Sequence, residues 1–176
     1  LFFDDNLDVE VNVKASRAED LFTPGGVVSN AAQMGPTKPL MDPTNPTGFY
    51  EWPGNTLQSA DNPLAILALA SDVGRSDRSV GNIQAEYDMP FIGALKAHVN
   101  LGYDLTSAQR QTFSPRALHS ELKAGRGGNV YRRNPAQLNT VLETYLNYAA
   151  QLNALPGWID LTGGYSYTES HSEYPW

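Results

Sequence analysis

The residues best equipped for chemistry are scattered along this chain. Its histidines stand at 98, 119 and 171. No i,i+4 histidine pair and no acidic partner at ligand spacing suggests a zinc site, so His98, His119 and His171 read as surface or cavity-lining side chains. Asp4-x-Asn6-x-Asp8 has the start of a calcium loop, but Val9 stands where the motif needs glycine and Ala15 where it needs glutamate. Turn chemistry explains it better. Gly125-Arg126-Gly127-Gly128 lacks the following Lys-Ser/Thr of a phosphate loop and reads as a mobile loop tip. No Gly-x-Ser-x-Gly and no framed carboxylate pair argues for hydrolysis, and cysteine is absent. These residues imply no catalytic centre, no metal and no cofactor.

The charged residues do follow one pattern: they occupy alternate positions in stretches whose other positions are apolar. From Leu7 to Arg17, Leu7, Val9, Val11, Val13 and Ala15 share one face, and Asp8, Glu10 and Lys14 share the other. Alternation with period two, rich in valine, is the mark of a β-strand with one apolar and one wet face. Ser79–Leu105 holds two more such arms joined at Met89–Ala94. Ile83, Ala85, Tyr87, Leu95, Ala97, Val99, Leu101 and Tyr103 lie on the apolar face; Arg78, Glu86, Lys96, His98 and Asp104 lie on the polar one. Gln137–Leu152 alternates again, with Leu138, Leu142 and Leu146 opposite Glu143. Those leucines are also four apart, as in a helix, but Asn139, Thr140, Val141, Thr144, Tyr145, Asn147 and Tyr148 are mediocre helix formers and favour a strand. After a turn at Asn153–Gly157, Trp158–Thr168 is the last strand, with Ile159, Leu161, Gly163, Tyr165 and Tyr167 on its apolar face.

Between these strands lie two long links. Ala18–Gly74 holds seven of the chain's 12 prolines, a density no ladder tolerates. It has room for helical turns at Val27–Met34 and at Asn62–Ala70, the latter capped by Asn62 with Pro63 at the first helical position. Phe49, Tyr50 and Trp52 stand close together in this link as candidates for contact with a solute or a partner. Ser107–Arg133 reads as the second long link. The links therefore run long, short, long, short. In an antiparallel meander this puts both short turns at one end and both long loops at the other, the habit of outer-membrane barrels. Strands of about ten to fifteen residues meet the ~9–11 needed to cross hydrocarbon at a tilt.

Composition sets outer limits. A length of 176 residues allows a single core, charged residues make up only 18 % and the net charge is −7. That charge, with no basic cluster to offset it, argues against nucleic acid as a partner. The longest apolar run, Leu64–Ala70, is far shorter than the ~20 residues of a membrane-spanning helix. The chain opens on Leu1 and ends at Tyr174-Pro175-Trp176 directly after a strand-like run, so it reads as an excerpt of something longer.

Several short stretches, in order, resemble part of the barrel of a TonB-dependent outer-membrane receptor of the SusC/RagA type. They are Phe2-Phe3-Asp4-Asp5-Asn6-Leu7, Gly35-Pro36-Thr37-Lys38-Pro39-Leu40, Asn62-Pro63-Leu64-Ala65, Gly81-Asn82-Ile83, Leu101-Gly102-Tyr103-Asp104, Leu146-Asn147-Tyr148 and Gly163-Gly164-Tyr165-Ser166. The resemblance implies an all-β, up-and-down antiparallel piece of about five transmembrane strands from a plugged barrel of roughly 22. Residues 1–176 would be barrel wall only, without the plug or TonB box.

The resemblance also implies import of oligosaccharides, peptides or other large nutrients, with energy from TonB and a SusD-like lipoprotein lid, and no enzymatic activity. Asp8, Glu10, Lys14, Arg78, Glu86, Lys96, His98, Asp104 and Glu143 would then face the lumen and the apolar positions the lipid. Two other readings stay open: a soluble or surface β-sheet binding module, whose apolar face would be covered by a second layer, and a passive porin-like channel.

Overall fold

The computed structural model describes residues 6–54, 58–151 and 157–175. Its elements in chain order are β1 (Leu7–Leu21), α1 (Val27–Gln33), α2 (Pro63–Leu69), β2 (Ser71–Asp88), β3 (Leu95–Pro115), α3 (His119–Lys123), β4 (Gly128–Arg133), β5 (Ala136–Gln151) and β6 (Trp158–Glu173). The strands form one sheet in the order β1-β2-β3-β5-β6, with β4 also paired to β3. The chain is all-β, an antiparallel meander. The stretch after Ala136 is a strand, as its residue preferences require, and both expected helices form. Leu152 and most of the expected Asn153–Gly157 turn, like Phe2–Asp5, lie outside the described residues.

The chain divides into two compact units. The first holds the described chain up to Arg17 together with Asp77–Ser107 and Pro135–Glu173. Here β3 pairs with β5 from Leu95↔Tyr148 to Ser107↔Ala136, and β5 with β6 from Gln151↔Trp158 to Ala136↔Glu173, with no position skipped. An unbroken antiparallel register keeps alternate residues on the same face across neighbouring strands. Val99 therefore stands opposite Thr144, and Thr144 opposite Tyr165. The Met89–Ala94 turn is closed by Met89 N–H donating to Leu95 O and Leu95 N–H to Ile92 O, at 3.0 and 2.8 Å.

The apolar face of this unit carries no second layer among the described residues. Val13 and Leu161 are 68 % and 62 % exposed, and Val9, Val11, Ile83, Val99 and Leu101 are exposed as well. A sandwich would cover these side chains with a facing sheet about 10 Å away. On this face the Tyr103 ring lies across Gly81, where an added Cβ would meet its Cε1 at 2.9 Å, and the Tyr103 hydroxyl is 3.0 Å from Ser79 Oγ.

The second unit holds Ala18–Ser76 and Ala108–Asn134. Two expectations change here. Ser107–Arg133 is no open link: β3 runs on to Pro115 and pairs with β4 from Arg110↔Arg133 to Pro115↔Gly128. The irregular region is also shorter than Ala18–Gly74, because β1 extends to Leu21 and β2 begins at Ser71. In both places the ladder continues where apolar–polar alternation stops, since neither face needs to be apolar there.

A small apolar core of Ala65, Ile66 and Leu118, flanked by Val27, Phe49, Leu69 and Ala70, anchors this unit. Around it the backbone is organised by Asn62, which is fully buried. Its Oδ1 accepts from Leu64 N–H and Ala65 N–H at 2.9 and 3.4 Å, capping α2, with Pro63 at the first turn. Its Nδ2 donates to Leu40 O and Tyr50 O at 2.7 and 2.9 Å. One amide thus satisfies four backbone groups, two at a helix end and two in the proline-rich segment. Before it, Asp42-Pro43-Thr44 and Asn45-Pro46-Thr47 fold as two successive turns in which the Asx oxygen accepts from both the threonine N–H and its hydroxyl.

Replacing Asn62 with alanine removes the cap and orphans two buried carbonyls. The expected local cost is about 2–4 kcal/mol. It is read as faster hydrogen exchange at Leu64 and Ala65, with the Leu138–Tyr148 amides of β5 unchanged.

Candidate functional site

The wet face of the first unit gathers most of the charged residues singled out in the sequence and ties them across strands. Gln84 Nε2 donates to Glu10 Oε2 at 2.7 Å, and Asn12 Nδ2 to Glu10 Oε1 at 2.9 Å. Lys96 Nζ lies 2.9 Å from Glu86 and 3.0 Å from Asp88, and His98 Nδ1 lies 3.3 Å from Glu86. The His98 ring stacks on Tyr145, directly opposite it on β5, at 4.3 Å. A chain of amides runs from Asn82 to Asn100 and on to Glu143, each step 3.0 Å. Arg78 forks onto Asp104 with bonds of 2.9 and 2.7 Å.

These contacts leave two recesses. One, of ≈ 360 Å³, is lined by Asp8, Glu10, Glu86, His98, Glu143 and Tyr145 among others and is strongly acidic. The other, of ≈ 560 Å³, is lined by Lys14, Val80, Gly102, Asn139 and Val141 among others. Gly102 matters to its depth, because a Cβ there would meet Val141 Cγ1 at 2.7 Å. The structure thus brings together Asp8, Glu10, Glu86, Lys96, His98 and Glu143, pairs Arg78 with Asp104, and sets Lys14 at the second recess. The amide row of Asn12, Asn82 and Asn100 was legible as polar positions, yet charge alone did not single it out. Acceptors and amides in this density suit hydroxyl-rich or cationic groups. Among the residues lining the two recesses there is no nucleophile–base pair.

The loop aromatics lie in the second unit and are half-buried. Phe49 packs on the apolar core. Tyr50 and Trp52 meet edge to face at 6.1 Å, and Lys38 Nζ sits 4.9 Å from the Trp52 ring centre. The Gly125–Gly128 segment is pinned, unlike the mobile tip its glycines suggest: Arg126 forks onto the buried Glu121 at 2.8 and 3.0 Å, and its N–H donates to Glu121 O.

The second unit also holds a buried charged cluster. His119, at the start of α3, directs Nδ1 at Asp61 Oδ1 (3.1 Å) and Glu51 Oε2 (3.3 Å). Lys123 Nζ lies 2.8 Å from Asp61 Oδ1 and donates to Ser59 O at 2.7 Å. The side chains of His119, Asp61, Glu51 and Lys123 are 6 %, 12 %, 13 % and 7 % exposed. Burial pushes the Glu51 carboxyl up to about 7, with Asp61 adding repulsion; the Asn62 N–H and Lys123 act in the other direction. Sequence spacing concealed this group, because its members come from separate segments and only the fold makes them neighbours.

No protein-family profile matches the chain. It is similar to the TonB-dependent receptor SusC of Bacteroides thetaiotaomicron, 26 % identical over 176 aligned positions that cover 87 % of this chain. The chain spans 17 % of that receptor's length.

Asp72, buried near the start of β2, takes a two-pronged bond from Arg110 at 2.8 and 2.7 Å, which holds its carboxyl below the usual aspartate range. A depressed folded-state pKa stabilises above the unfolded value of about 3.9, and that contribution is lost as pH falls through the folded value. The Arg110→Met variant is therefore expected to be less stable than wild type at pH 6, with the gap closing toward pH 2.5, as measured by urea midpoints across that range.

Proposed function

We propose that this chain is a section of the wall of a TonB-dependent outer-membrane transporter. The observation that carries the reading is an exposed face free of charge along five strands. It runs over Leu7–Ala15, Ser79–Tyr87, Leu95–Leu105, Leu138–Ala150 and Ile159–Tyr167, taking the alternate positions that begin and end each stretch. The opposite face of the same strands carries Asp8, Glu10, Lys14, Glu86, Lys96, His98, Asp104 and Glu143. The stretches are nine to thirteen residues long, enough for the ~9–11 that cross hydrocarbon at a tilt. At one margin the charge-free band ends at Arg17 paired with Asp77, with Glu169 and His171 following on β6. Lipid is the environment in which such a face is stable: the inner strands β2, β3 and β5 have neighbours on both sides, and the outer edges of β1 and β6 would find theirs in the rest of the wall.

The likeness to SusC supports the transporter class, and the polar recesses suit solute passage or contact with a plug. On this reading Asp8, Glu10, Lys14, Arg78, Glu86, Lys96, His98, Asp104 and Glu143 face the lumen. Phe49, Tyr50 and Trp52 belong to an extracellular loop able to touch solute or lid. The full protein would import large nutrients such as oligosaccharides or peptides, work with a SusD-like lipoprotein and draw energy from TonB. It would perform no catalysis.

An arginine at Leu101 tests the orientation. At mid-bilayer it should cost ~2–4 kcal/mol and deplete the intact protein from the outer-membrane fraction. Arginine at the neighbouring Asn100 should leave the amount in the membrane close to wild type. The opposite ranking, or recovery of the intact protein in the soluble fraction, sinks the proposal.

A further inference from the structure

We propose that Glu51, Asp61 and His119 form a binding site for one divalent transition-metal ion, of which zinc is the reference case. The site would fasten the β1–β2 connection to the β3–β4 connection within the second unit. It does not depend on the transport reading.

Three arguments converge on it. The first is geometric. The three donor atoms lie within 4.8 Å of one another. A tetrahedral zinc with bonds of ~2.0–2.1 Å holds its ligand atoms about 3.3 Å apart. The His119–Asp61 and His119–Glu51 separations of 3.1 and 3.3 Å already match two edges of that tetrahedron.

The second is charge. Two buried carboxyl groups, Glu51 and Asp61, converge on the His119 ring, with Lys123 set against Asp61 alone. Glu51 Oε2 is itself buried, and no hydrogen bond satisfies it. A carboxylate oxygen withdrawn from water and left without a donor favours a cation. Lys123 cannot fill this role, because it is already fixed between Asp61 Oδ1 and Ser59 O. A carboxylate oxygen can take a second partner, so Lys123 acts as a positioning residue that steers Asp61.

The third is ligand chemistry. Calcium and magnesium require six or more oxygens, and this site offers two carboxylates and an imidazole, a set suited to zinc and its first-row neighbours. Three protein ligands leave a fourth position for water or for the second oxygen of a carboxylate.

The test uses the intact protein, stripped with EDTA and titrated calorimetrically with Zn²⁺ and, separately, with Mg²⁺. Wild type should take up one zinc that raises its melting temperature, while magnesium gives neither heat nor shift. His119→Ala should abolish this zinc. Glu51→Gln should weaken it by roughly tenfold or more, yet melt no lower than EDTA-treated wild type, because glutamine fills the same space without needing a cation. That separates loss of a ligand from loss of fold. Absence of zinc uptake by wild type, or unchanged affinity in Glu51→Gln, would overturn the site.

Discussion

An antiparallel ladder leaves each side chain only two directions, and a slip of one residue reverses both for the whole strand. Everything distinctive in the first unit follows from holding that register without error. From Leu95↔Tyr148 onward β5 gives β3 one partner per residue, and β6 does the same for β5. Most of the valines, leucines and tyrosines are thereby collected on one surface, and carboxylates, amides and His98, with Tyr145, on the other. Neither surface could be assembled from helices without a second layer to hide the apolar side. A sheet can present both at once, provided the medium differs on its two sides.

The second unit follows a different rule. Among the described residues its apolar core is the small cluster of Ala65, Ile66 and Leu118 with half-buried neighbours, and Met34 and Ala60 are buried besides, too little to order a proline-rich segment alone. Buried polar groups supply the remainder. Asn62 joins the end of α2 to Leu40 and Tyr50, Glu121 holds Arg126, and Asp61 meets Lys123 and His119. Such networks are strong when complete and costly when one member is missing. The second unit should therefore tolerate substitution at its proline turns far better than at Asn62.

How much of this was legible from sequence depends on whether the signal was local. Alternation revealed the strands wherever one face is apolar, and Asn62-Pro63 announced a helix start through capping chemistry. Alternation failed at Ser71–Arg78, at Thr106–Pro115 and at Gly128–Arg133, where polar residues such as Arg110 and Arg132 occupy a continuing ladder. There the backbone pairs as firmly, but no apolar partner advertises it. The cluster around His119 was invisible for a related reason: its donors come from distant segments, and no motif spacing describes such a group.

Pro135 lies between β4 and β5, which both stand opposite β3. Arg110↔Arg133 lies on one side of the interruption and Ser107↔Ala136 on the other, so the count of residues is conserved across it. Two positions on each side, Ala108–Gln109 and Asn134–Pro135, fall between the ladders, so no bulge is added. The stretch between Arg116 and Gly127 is held by its own contacts, Leu118 in the apolar core and Arg126 on the buried Glu121, so exchange there is confined to its exposed positions, and the register of β5 on β3 does not depend on it.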